Sequence, residues 1–152
     1  MEKTLEKTVN GDRRARTVLI VEDDHDDAYL LRRALTAAAR ERNLEVQITH
    51  ATNGLEALSG VARGDLMNRM PDIIVVDLNM PVVNGERFLS VLREDLRLTG
   101  VPAVVLTTAT EAYVLDHAMA EGADAAFSKP NTQDELLAIA RVILSYGDRP
   151  GG

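Results

Sequence analysis

Four short stretches of this chain carry residue types that can do chemistry. Glu22-Asp23-Asp24-His25-Asp26-Asp27 puts five carboxylates in six positions, Asp77-Leu78-Asn79-Met80-Pro81 adds another acid, Thr107-Thr108 two hydroxyls, and Lys129-Pro130 an ammonium. If Glu22, Asp23 and Asp77 lie within a few ångströms of each other, they repel unless protonated or bridged by a cation. An all-oxygen set with access to water favours magnesium or manganese. Lys129 stands out because the chain holds three lysines, Lys3, Lys7 and Lys129, among 17 basic residues, the rest being arginine. A compact ammonium is a point charge where a guanidinium is a planar fork, so a lysine at this place suits contact with an anion. His25, His50 and His117 are scattered and read as surface or packing residues.

Elements that would gather these stretches are visible as apolar, β-branched runs at 18–21, 46–49 (weaker and alternating), 73–76 and 103–106. A fifth strand, 123–128, follows the helix stop at Glu121-Gly122. Between them the helical spacing predicts helices over 26–42, from Asn53-Gly54 onward, and over 85–93, 111–121 and 132–146, with 63–72 read as a loop on its Gly, Asn and Pro. Continuous Val/Ile runs alternating with helices indicate a parallel sheet buried on both faces, a doubly wound α/β fold. Such sheets bind ligands beyond the carboxyl ends of their strands. All four chemical stretches lie at those ends.

Composition sets the outer limits. A length of 152 residues with 45% apolar content fits one domain with short tails, expected as an arm at 1–16, a domain at 17–146 and a tail at 147–152. Only 3% aromatics without Trp, and a formal charge of −7, disfavour nucleic acid binding. The absence of cysteine removes disulfides and thiolate chemistry. No apolar run is long enough for a signal peptide or membrane span, which predicts a cytoplasmic protein.

Taken in order, Glu22-Asp23-Asp24 closing the first strand, Asp77 with Leu78-Asn79-Met80-Pro81 and Asn84-Gly85, then Thr107, then Lys129-Pro130, this chain resembles the receiver domains of two-component response regulators. The intervals, 30 residues from Asp77 to Thr107 and 22 from there to Lys129, match as well. The resemblance implies a flavodoxin-like sheet of five strands in the order 2-1-3-4-5 with five helices. It further implies that Asp77 accepts a phosphoryl group from a histidine kinase, while Glu22, Asp23, Asp77 and the Asn79 carbonyl hold magnesium or manganese. Thr107 and Lys129 would contact phosphoryl oxygens, and Lys129-Pro130 would be a cis peptide. These are the properties of a phosphoacceptor in signalling, not of a turnover enzyme. The chemistry agrees: a phosphoryl group in transfer is stabilised by position and by cations on its oxygens. The pattern departs at Ala126, three before Lys129, where the family usually has Tyr or Phe, and Phe127 should face the other side of the strand.

Output would leave through a surface. Helix 132–146 is apolar on more than one side, which predicts a second partner, and we expect a symmetric homodimer through residues 111–146. Asp24-His25-Asp26-Asp27 and Asn84-Gly85-Glu86-Arg87-Phe88, with the chain's length, look similar to the single-domain regulators paired with phytochrome-type kinases. Asn79, two residues after Asp77, disfavours a haloacid-dehalogenase phosphatase, which needs a general acid there. The acids after the first strand would repel the phosphate of a flavin, and an EF-hand lacks its glycine. A receiver-like interaction module that no longer takes phosphate is the remaining alternative.

Overall fold

A computed structural model describes residues 15–67 and 69–148. The expected arm and tail therefore lie largely outside the described residues. Five parallel strands, β1 (Arg16–Val21), β2 (Val46–Ala51), β3 (Ile73–Val76), β4 (Ala103–Thr107) and β5 (Ala125–Ser128), form one sheet in the order β2-β1-β3-β4-β5. Helices α1 (His25–Glu41), α2 (Gly54–Leu66), α3 (Gly85–Ser90) and α4 (Ala112–Ala120) connect them, and α5 (Gln133–Ser145) follows β5. This is the expected doubly wound, flavodoxin-like arrangement.

Side-chain alternation along the strands sorts the core into two layers. Val18, Ile20, Ile73, Val75, Val104 and Leu106 face α1 and α5, while Leu19, Val21, Ile74, Val76 and Val105 face α2, α3 and α4. Residues of β3 and β4 are buried throughout, which is why they read as continuous apolar runs. β2, on the edge, alternates half-buried and exposed, as its weaker pattern foretold. Asp24, Asn53, Asn84 and Thr132 each cap a helix by accepting a backbone N–H in its first turn, so four helices start where a short polar side chain precedes an apolar stripe.

Several expectations are corrected. Residues 63–66, read as loop, continue α2, and Gly64 is there because Arg69 passes close: a Cβ would lie 2.6 Å from the Arg69 carbonyl oxygen. Beyond 93 the third helix runs on as a π-helical turn, Val91–Asp95. β1 takes in Arg16, and Asp148, assigned to the tail, accepts hydrogen bonds from Arg42 and Arg16. No cis peptide occurs among the described residues, so Lys129–Pro130 is trans, the lower-energy isomer even before proline. Finally, the second apolar side of α5 is largely covered within the chain. Ala140, Ile143 and Leu144 are buried, Leu136, Leu137 and Ile139 pack half-buried into the layer that holds α1, and only Ala138 and Val142 remain exposed.

Candidate functional site

β1 ends at Val21, β3 at Val76, β4 at Thr107 and β5 at Ser128, so the carboxyl ends of four strands deliver Glu22, Asp77, Thr107 and Lys129 to one corner. Glu22, Asp77 and Thr107 are buried polar residues, whereas Asp23 stands exposed at the rim. One carboxylate oxygen from each of Glu22, Asp23 and Asp77 lies within 4.8 Å of the others. The Lys129 Nζ donates to Glu22 Oε1 at 2.8 Å and Asp27 Oδ2 at 2.7 Å, and sits 3.9 Å from Asp77 Oδ2. Asp23, Asn79 and Thr107 line an open cleft of about 490 Å³ on the solvent side. Glu22, Asp23, Asp77 and Lys129 thus lie together at this corner, with Asn79 and Thr107 on the adjoining cleft.

Electrostatics at the corner are those of acids crowded out of water. Burial, and the neighbouring Asp77 charge against the opposing hydrogen bond from Lys129, push the Glu22 carboxyl up to about 7. Burial likewise raises Asp77 above the usual carboxylate range, although Lys129 draws it back. For Lys129, burial would lower the ammonium, but hydrogen bonds to Asp27 and Glu22 and the Asp77 charge outweigh it and hold the group above its ordinary value. Asp77 Oδ1 is buried and has no hydrogen-bond partner. An orphaned oxygen beside two further carboxylates is the donor set of a small hard cation, so the residues fit magnesium or manganese.

The surrounding backbone is tightly fixed. Lys129 N–H donates to the Thr107 carbonyl at 2.6 Å, and the Ser128 hydroxyl to the Ala109 carbonyl at 2.6 Å, tying β5 to the loop after β4. The Thr107 hydroxyl accepts from Ala109 N–H at 3.4 Å, and Asn79 Nδ2 lies 3.5 Å from the Thr108 hydroxyl. Gly85 donates its N–H to the Leu78 carbonyl, and a Cβ there would overlap the Asp77 carbonyl oxygen and stand 2.7 Å from Leu78 Cα. We expect Gly85→Ala to destabilise the fold by about 2 kcal/mol through this overlap. An unchanged urea midpoint would contradict the assigned close approach.

Two residues of the site escaped sequence reasoning. Asp27, in the first turn of α1, carries the shortest ion pair to Lys129, and His50 at the end of β2 places Nε2 2.7 Å from the Glu22 carbonyl oxygen. Charge in a helix's first turn is ordinary, so nothing marked Asp27 apart from its neighbours. Ala126 packs into the layer of α2, α3 and α4, and Phe127 into the opposite one, so the ring is turned away as its position in the strand predicted.

Comparison with known proteins agrees with this geometry. A sequence model described as the response regulator receiver domain matches residues 18–141. The response regulator Rre1 of Synechocystis sp. is 39% identical over 80 residues, which are 53% of this chain and 35% of Rre1. The chain thus spans about a third of that relative's length. Among solved structures, the phosphorylated cyanobacterial phytochrome response regulator RcpA matches with a TM-score of 0.76 at 24% identity, covering 91% of this chain and 97% of RcpA. The manganese-bound form of response regulator Rcp1 matches at 0.70 and 23% identity, covering 86% of this chain and 92% of its own. At such identities these two likenesses are of fold.

Proposed function

The chain belongs to the response regulator receiver domain family, and from that premise we propose that it takes a phosphoryl group on Asp77 from a histidine kinase and signals through protein contacts. The observation that carries this reading is the meeting of a buried, unpartnered Asp77 Oδ1 with two further carboxylates and the Lys129 ammonium. An ionised Asp77 oxygen attacks phosphorus, the new O–P bond forms as the P–N bond to the kinase imidazole breaks, and that bonding pair returns to the imidazole nitrogen. Glu22, Asp23, Asp77 and the Asn79 carbonyl are the groups that would hold magnesium or manganese, and the similar response regulator Rcp1 has a manganese-bound form. When bound, the ion neutralises charge on the transferred oxygens. Lys129 and the Thr107 hydroxyl supply the remaining contacts from this chain.

Acetyl phosphate with magnesium should add the mass of one phosphoryl group to the native protein, and EDTA should prevent it. A protein that gains no mass is a receiver-like interaction module instead.

The partner kinase is proposed to be of the phytochrome type, on the fold shared with RcpA, and the setting cytoplasmic. No helix among the described residues is long and apolar enough to cross a membrane. Net negative charge favours protein partners over nucleic acid. For output we propose a homodimer through residues 111–146, where Tyr113, Met119 and Val142 are exposed apolar side chains and β5 is a half-buried edge strand. Light scattering at micromolar concentration should give twice the chain mass. A monomer with and without beryllofluoride would exclude this dimer.

A further inference from the structure

The ammonium of Lys129 has three N–H donors, and its surroundings supply three carboxylates at unequal distance: Asp27 at 2.7 Å, Glu22 at 2.8 Å and Asp77 at 3.9 Å. The two near partners are not equivalent. Glu22 belongs to the acid cluster with Asp23 and Asp77, so the group that holds Lys129 is also one that a cation would draw on. Asp27 lies outside that cluster, in the first turn of α1, where its own backbone N–H is held by the Asp24 cap. Its carboxylate reaches Lys129 across 102 positions of sequence. The pocket between them is also lined by Asp77.

On the reading of Asp77 as phosphoacceptor, we propose that Asp27 is a positioning residue that holds Lys129 Nζ beside Asp77 from the α1 side. A lysine has much rotamer freedom to lose, and one anchored only by a shared carboxylate would leave its place when that carboxylate is claimed. With Asp27 as an unshared anchor, the third N–H stays directed at the place where phosphoryl oxygens appear. Preorganised charge of this kind acts on the transfer step rather than on binding of the donor.

The test compares the native chain with Asp27→Asn, Asp27→Glu and Asp26→Asn, the last removing the same charge from the same helical turn. Phosphoryl uptake is followed by mass with acetyl phosphate over a range of concentrations at saturating magnesium. In parallel, the side-chain ammonium signal of Lys129 is recorded by NMR in protein with nitrogen-labelled lysine and magnesium but no phosphoryl donor. Lysines being so few, Lys129→Arg identifies the signal. Asp27→Asn should lower the limiting uptake rate at least fivefold with little change in the half-saturating donor concentration, and broaden or erase the Lys129 signal. Asp27→Glu should recover most of the rate, and Asp26→Asn should match the native chain within twofold. An Asp27→Asn rate within twofold of native, or faster, or an unchanged Lys129 signal, overturns the proposal. If the native chain takes up no phosphoryl group, the reading of Asp77 fails, while the NMR signal still decides whether Asp27 places Lys129. Should Asp27→Asn not fold, Asp27→Ser, which suits a helix's first turn, takes its place.

Discussion

Asp77→Asn is expected to bring phosphoryl uptake from acetyl phosphate below detection while raising the melting temperature of the metal-free protein by several degrees. Both effects come from one carboxylate. The nucleophilic oxygen is lost, because an amide presents no anionic oxygen to phosphorus. Stability rises because burial already holds Asp77 above its normal range, so its ionised form beside Glu22 and Asp23 is a cost of the folded state at neutral pH. Asparagine removes that charge and keeps the shape. Mass spectrometry and thermal melts in EDTA measure the two together. A variant that still gains a phosphoryl group would place the acceptor elsewhere, and a lowered melting temperature would mean that Asp77 serves chiefly as a partner of Lys129.

The second large effect is a dependence of stability on pH and magnesium set by Glu22. Its carboxyl stands at about 7 in the folded chain against 4.5 for the ordinary group. Between those values the unfolded chain has released the proton and the folded chain keeps it, so stability falls as pH rises. Below the lower value the group contributes no difference, and above the upper one the full cost is present, on the order of 3 kcal/mol. Metal-free protein should therefore be easier to unfold in urea at pH 8 than at pH 5.5. Magnesium should restore stability at pH 8 and add little at pH 5.5, where Glu22 is protonated and a poor ligand. His117 adds to the slope, since hydrogen bonding to Glu86 raises its imidazole. Glu22→Gln isolates its share: it should flatten the curve to the part owed to Asp77 and His117 and remove most of the magnesium response. A slope unchanged in Glu22→Gln would assign the effect to another group.

The sequence made the sheet legible because burial on both faces writes itself as unbroken apolar runs, Ile73-Ile74-Val75-Val76 and Ala103-Val104-Val105-Leu106. The corner was legible for a related reason: residues at or just past a strand's carboxyl end can point to few places, so fixing the strands fixed Glu22, Asp77, Thr107 and Lys129. What escaped depended on long side chains and close backbones. Whether Lys129 turns to Asp27 or only to Asp77 is a matter of rotamer, and the two partners are 102 residues apart. Gly64 looked like punctuation, yet its missing Cβ admits the Arg69 backbone from within a helix. The π-helical turn after α3 has no local signature that periodicity detects. The apolar surplus on α5 pointed outward to a partner because the sequence does not reveal how far α1 leans across it.

The smallness of Ala126 has a mechanical corollary. At position 126 there is no ring to rotate between two rotamers, and α4 itself sinks a single side chain, Ala118, fully into the core. Little apolar area is therefore forfeited when this helix slides. Were the loop after Thr107 to be drawn inward, travel of the whole helix, like a bolt in its track, would cost less buried apolar area than such a helix usually forfeits.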